Sequence, residues 1–182
     1  MHGSDQKKII LSSNLQGYFF EGLLEINKKS LCPVHESLLY YSSEVLDKFA
    51  LSQDFFEVTE GKVREKVLGM KLLEATQLSR GDQKKVYREV GEMSLLVCGY
   101  FAESVNKKLV DTHYYAQLGK MAYENLNNIS PSFLDIPSFY QLVATCFEPL
   151  TSIMTVMANR NRIGEEKYLL FNFVTGRRDA IS

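Results

Sequence analysis

The chain has 182 residues, 45% of them hydrophobic and 24% charged, and carries a net charge of −1. That length suits one domain, residues 1–182, able to bury about 70% of its unfolded surface without disulfide staples, and the composition excludes intrinsic disorder. Near-neutral charge supplies no global attraction to nucleic acid or anionic lipid, so nucleic acid is not the expected partner.

The opening residues lead only into Ile9-Ile10-Leu11, too short an apolar run for a secretory signal, and 1–11 are expected to form a flexible end. Cys32, Cys98 and Cys146 are odd in number and sit among apolar neighbours, which suits reduced thiols of a cytoplasmic protein. No stretch approaches the roughly 18 apolar residues that cross a bilayer, so no membrane insertion is expected.

The first helix is predicted over 13–28: Ser13 and Gln16 have the form of a capping box, and Leu15, Tyr18, Phe19, Gly22, Leu23 and Ile26 recur at helical spacing. A second carries Leu38, Tyr41, Val45, Leu46 and Phe49 on one face and ends near Leu51. Phe55-Phe56-Glu57-Val58 is strand-like in content, and helical spacing resumes from Val67 until Gly81, taken as a stop.

The fourth helix, about 82–107, is the expected hub. Val86, Val90, Met93, Val97, Phe101 and Val105 form one stripe, while Gly91, Ser94, Cys98 and Ala102 form a small-residue stripe on which a neighbouring backbone is expected to press. Asp111 caps a fifth helix through Leu126, and a last one opens near Asp135 and runs to Met157. Pro149 lies inside that last helix, so a kink or break is predicted there. The apolar run 168–174 is expected to pair with 55–58 as a minor two-stranded patch or to cover a partner subunit, and 175–182 to be flexible. The fold class is all-α, a compact bundle of about six helices.

No metal site is predicted. His2, His35 and His113 share no helix face, and neither Glu-x-x-His pairs nor a His-Asp dipeptide occurs. No GxGxxG or GxxxxGK[ST] loop cradles a phosphate, and no cofactor is expected. Cys98, amid Leu95, Leu96, Val97 and Phe101, reads as a small core residue rather than a nucleophile. Arg80, Lys84, Lys85 and Arg88 read as a solvated face, as do Lys107-Lys108 and Arg160, Arg162, Arg177 and Arg178; an anionic partner is the reading if several converge.

The block Gly91-Glu92-Met93-Ser94-Leu95, then Gly99-Tyr100-Phe101-Ala102-Glu103-Ser104, then Val110-Asp111-Thr112-His113-Tyr114-Tyr115 with Gly119, Ala122 and Tyr123, resembles a group of uncharacterised bacterial proteins. Their shape is G-(D/E)-x-(A/S)-L, G-(F/Y)-F-x-(E/D)-S and V-D-x-x-Y-Y-x-x-x-G-x-x-A-Y. The resemblance covers about a third of the chain and implies a bacterial origin without implying a mechanism.

Within that block Glu103, Ser104, Lys107, Asp111, His113, Tyr114 and Tyr115 form the candidate recognition corner between the fourth and fifth helices. The expected function is a non-enzymatic interaction or regulatory module, a homodimer or bound to another protein, since catalytic groups are missing while the first helix, Phe55-Phe56 and the 168–174 run carry surplus apolar surface. The competing reading is a small-molecule binder or enzyme with a cavity between helices four and five, lined by Tyr100, Tyr114, Tyr115, His113 and Glu103.

Overall fold

The structure, a computed structural model, describes residues 15–50, 65–102 and 112–163. Among these it holds seven helices and no strands: α1 (Leu15–Lys28), α2 (Glu36–Ala50), α3 (Glu65–Ala75), α4 (Arg80–Gly99), α5 (Thr112–Ile129), α6 (Phe139–Thr145) and α7 (Phe147–Ile163). The chain is therefore an all-α bundle. The expected patch between 55–58 and 168–174, and the flexible ends 1–11 and 175–182, lie outside the described residues.

α4 is the hub, with Val90, Leu95, Leu96 and Val97 fully buried. Its start differs from the sequence expectation. Ser79, in extended conformation, caps the helix by accepting from the Asp82 amide at 3.3 Å, so Gly81 lies in the first turn and does not stop α3. Its end differs too. α4 stops at Gly99 rather than running to Val105, and the amides of Tyr100 and Phe101 both turn back to the Leu96 carbonyl.

α5 runs antiparallel to α4, as the order of contacts requires: Arg80 reaches the Ile129 carbonyl, Gly91 meets Tyr123, Ser94 meets Gly119, and the Cys98 thiol donates to the Thr112 carbonyl. The small residues of α4 do allow close approach, but side chains rather than backbone fill most of the space. Gly91 is covered by the Tyr123 ring and Gly99 by Met154. At Gly119 the fit is close on two sides, since a Cβ there would stand 2.6 Å from Phe147 Cζ and 2.8 Å from Ser94 Cβ.

The α1–α2 hairpin is locked by Asn27, whose side chain accepts from the Val34 amide at 2.8 Å and donates to its carbonyl at 3.0 Å. α7 crosses the end of α4, where the Thr155 hydroxyl donates to the Gly99 carbonyl at 2.8 Å, and continues over Gly22 of α1. The predicted last helix is in fact two. α6 starts at Phe139, after a tight turn in which Leu134, Asp135 and Ser138 have positive φ, and the chain bends by 72° between α6 and α7. The break falls at Cys146, three residues before Pro149, because proline cannot donate to the Thr145 carbonyl and its ring crowds that oxygen. Pro149 itself sits in the first turn of α7, where no donor is needed.

These two glycines should respond oppositely to the same change. Gly119→Ala is expected to destabilise by about 1–3 kcal/mol through overpacking. Gly81→Ala meets nothing within 4 Å in a first helical turn and should stabilise by about 0.5–1 kcal/mol. Urea unfolding followed by circular dichroism reads both.

Candidate functional site

Glu92 lies in the middle of the hub helix with 5% of its surface exposed, a position where an unpaired carboxylate would be costly. Lys48 of α2 reaches it from the surface: its ammonium is 2.5 Å from Oε2 while 59% of the lysine side chain stays exposed. The Tyr41 hydroxyl donates to Oε1 at 3.4 Å and lies 3.3 Å from the Tyr123 hydroxyl. Tyr123 stacks on Tyr140, their planes 9° apart, and the Tyr140 hydroxyl accepts from Arg88 Nη2 at 2.8 Å. Phe133 and Phe139 close on the Tyr41 ring edge-to-face. One polar network thus joins α2, α4, α5 and α6.

Its electrostatics fix its chemistry. Burial pushes the phenols of Tyr41 and Tyr123 well above the usual range and raises that of Tyr140, which favours the protonated form of all three. Glu44, beside Glu92 and Arg88, is raised by burial and by the Glu92 charge, against a hydrogen bond from Tyr40. Asp47 is raised by burial, and its Oδ1 is enclosed without a hydrogen-bond partner among the described residues, as are Arg88 Nε and Ser94 Oγ. The arrangement holds four helices in register around one internal charge. Among the described residues no three His, Cys, Asp or Glu side chains converge as a metal site.

Of the predicted recognition corner, Glu103, Ser104, Lys107 and Asp111 lie outside the described residues. His113 and Tyr114 are exposed on the first turn of α5, with His113 Nε2 3.1 Å from Gln117, whereas Tyr115 turns inward and is 1% exposed. Between α4 and α5 the Ser94–Gly119–Phe147 contact leaves no room for a small molecule at that crossing. Of the described basic residues, Arg80 reaches the Ile129 carbonyl, Lys85 pairs with Asp82, Arg88 points inward to Tyr140 and Arg160 pairs with Glu25, while Lys107, Lys108, Arg177 and Arg178 lie outside the described residues. Cys98 is buried as expected, while Cys32 is exposed on the α1–α2 loop rather than set among apolar neighbours. Among the described residues no single helix is long and apolar enough to cross a membrane.

The surface holds a second feature. α3 and α5 are both antiparallel to α4 and so run parallel to each other, meeting where the Tyr114 hydroxyl covers Gly69. Along this pair Met70 is 53% exposed, Leu73 74%, Tyr114 37% and Met121 51%. Met70 and Leu73 are one turn apart on α3, Tyr114 and Met121 two turns apart on α5. Together they form an apolar strip that helical periodicity alone did not single out.

No protein-family model matches the chain, and no significant similarity to a curated protein or to a solved structure is found.

Two expectations follow from the network. Lys48→Met, which strips Glu92 of its cation, should cost about 2–3 kcal/mol in urea unfolding, and Glu92→Met in the same chain should recover part of that loss. Glu44 has a folded-state pKa above its unfolded value of 4.5, so its stabilising contribution is complete below that pH and lost as the pH rises through the folded value. Glu44→Gln should accordingly be more stable than the parent near neutral pH, with the difference vanishing near pH 4 in melts at matched ionic strength.

Proposed function

We propose that this chain is a non-enzymatic helical module of the cytoplasm, of bacterial origin as its motif resemblance implies, that works by docking another protein surface along the α3–α5 strip. A second copy of the chain is the first partner this reading names. The observation that carries it is the exposure of Leu73 and Met121 on adjacent parallel helices, flanked by Met70 and Tyr114, where an isolated bundle gains nothing by presenting large apolar side chains together. The surroundings fit a neutral, apolar partner. Lys71 is already paired with Glu89, and Lys120 lies 2.6 Å from Glu148, so both cations beside the strip are neutralised within the chain.

The buried network is in keeping with the same reading from inside, because the Glu92 carboxylate is taken up by Lys48 and Tyr41 and burial favours the protonated phenols. Light scattering across a wide concentration range should give a dimer for the natural chain. The Leu73→Glu, Met121→Glu double variant should weaken association about thirtyfold or more, roughly 2 kcal/mol, with helical content unchanged. A strict monomer at every concentration would remove the second copy as partner.

A further inference from the structure

The helix directions gather three connections at one end of the bundle. α5 is antiparallel to α4, so the α3–α4 loop before Ser79 and the turn after Ile129 are neighbours, joined where Arg80 reaches the Ile129 carbonyl. The start of α1 meets the end of α4, with the Phe19 and Tyr100 ring centroids 6.3 Å apart, so the α1–α2 loop is carried toward the start of α4. Tyr41, in the second turn of α2, packs on Phe133 of the α5–α6 turn at 5.2 Å, which brings that loop to the same end.

Each connection holds out one leucine. Leu31 of the α1–α2 loop is fully exposed, Leu134 of the α5–α6 turn is 64% exposed and Leu78 of the α3–α4 loop 42%. All three loops are tied down. The Asn27 side chain clamps Val34, Gln83 donates to the Leu78 carbonyl at 3.1 Å, and the Phe133 and Ile136 backbones exchange hydrogen bonds across Leu134 and Asp135. Leu134, with a φ of 47°, and Asp135, at 60°, occupy left-handed positions that such turns usually fill with asparagine and glycine. A leucine kept in a disfavoured backbone conformation with its side chain in water is unexplained by the bundle's own packing.

The residues around the leucines decide what covers them. Ser30, Cys32, Ser79 and Asp135 adjoin them, so no continuous patch forms for a protein to seal, whereas a fluid apolar layer takes up isolated side chains one by one. The charges point the same way. Lys29 pairs with Glu25 and Lys85 with Asp82; among the described residues at this end Lys28, Arg80 and Lys84 then stand against Glu36 and Asp135, a local excess of cations that anionic headgroups attract.

We propose that this end of the bundle docks on the surface of an anionic lipid bilayer, with Leu31, Leu78 and Leu134 dipping below the headgroups and no helix entering the membrane. The surface is separate from the α3–α5 strip, and the inference does not depend on it.

Co-flotation of the full chain with phosphatidylcholine vesicles, with and without phosphatidylglycerol, tests it. The chain should float with the anionic vesicles and lose binding at high salt. Leu31→Ser, Leu134→Asn should lower the partition coefficient about tenfold or more. Leu134→Asn alone should lower it while raising the thermal midpoint, since asparagine tolerates the left-handed backbone, so weaker binding cannot be misfolding. Lys28→Glu, Lys84→Glu should weaken flotation on anionic vesicles only. The chain contains no tryptophan, so Leu31→Trp and Leu134→Trp should each give emission that shifts to the blue on vesicles, and Met121→Trp on the strip should not. Absence of flotation, flotation that phosphatidylglycerol does not increase, or flotation indifferent to the leucine variants overturns the proposal. A blue shift from Met121→Trp overturns it by placing the strip on the bilayer. Leucine variants that abolish a dimer while the natural chain ignores vesicles overturn it as well, because this end then faces a second copy.

Discussion

A carboxylate placed within the buried part of the hub helix is the constraint around which the rest of this fold is arranged. Glu92 can be buried only if a cation and donors come to it, and the molecule supplies Lys48 from α2, Tyr41 from the same helix and, through Tyr41, Tyr123 from α5. Tyr123 in turn fills the space that Gly91 leaves on α4, and stacks on Tyr140 of α6. Close packing and polar pairing are here one device: replacing either glycine contact or ion pair shifts the ring that serves the other. Such a network gives specificity of register rather than net stability, because the desolvation of Glu92 offsets much of what its partners contribute.

The helices were legible wherever one apolar face recurred at steps of three and four, as in α1, α2, α4 and α5. Their ends were less so, for particular reasons. Gly81 reads as a stop until Ser79 is seen capping Asp82, and a cap one residue before a glycine-containing first turn looks in sequence much like a terminator. Pro149 correctly announced a break, but the break falls where the backbone loses its donor's partner, nearer Cys146, rather than at the ring. Val105 continued the α4 stripe beyond the point where the backbone at Tyr100 and Phe101 had already turned back.

The inner site was hidden differently. A glutamate between Gly91 and Met93 is an ordinary surface residue by type, and only its position three and four residues before Leu95 and Leu96, both fully buried, marks it as inward-facing. Lys48 gave no sign at all, since lysines that reach inward and lysines that do not have the same spacing. The motif block nevertheless contained both members of two close contacts, Gly91 with Tyr123 and Ser94 with Gly119, so those four residues are accounted for by packing between α4 and α5.

Separating these two layers decides how the molecule is read. Glu92 and its phenol partners sit inside, while Met70, Leu73, Tyr114 and Met121 sit outside, on α3 and α5. A helix apolar on more than half its circumference cannot face one core with all of it, and α5 shows the result, with Leu118 and Ala122 turned in and Met121 between them turned out. An exposed methionine between two buried neighbours is a surface awaiting cover. On α3 and α5 the outer strip is where covering large apolar side chains would remove most of their area from water.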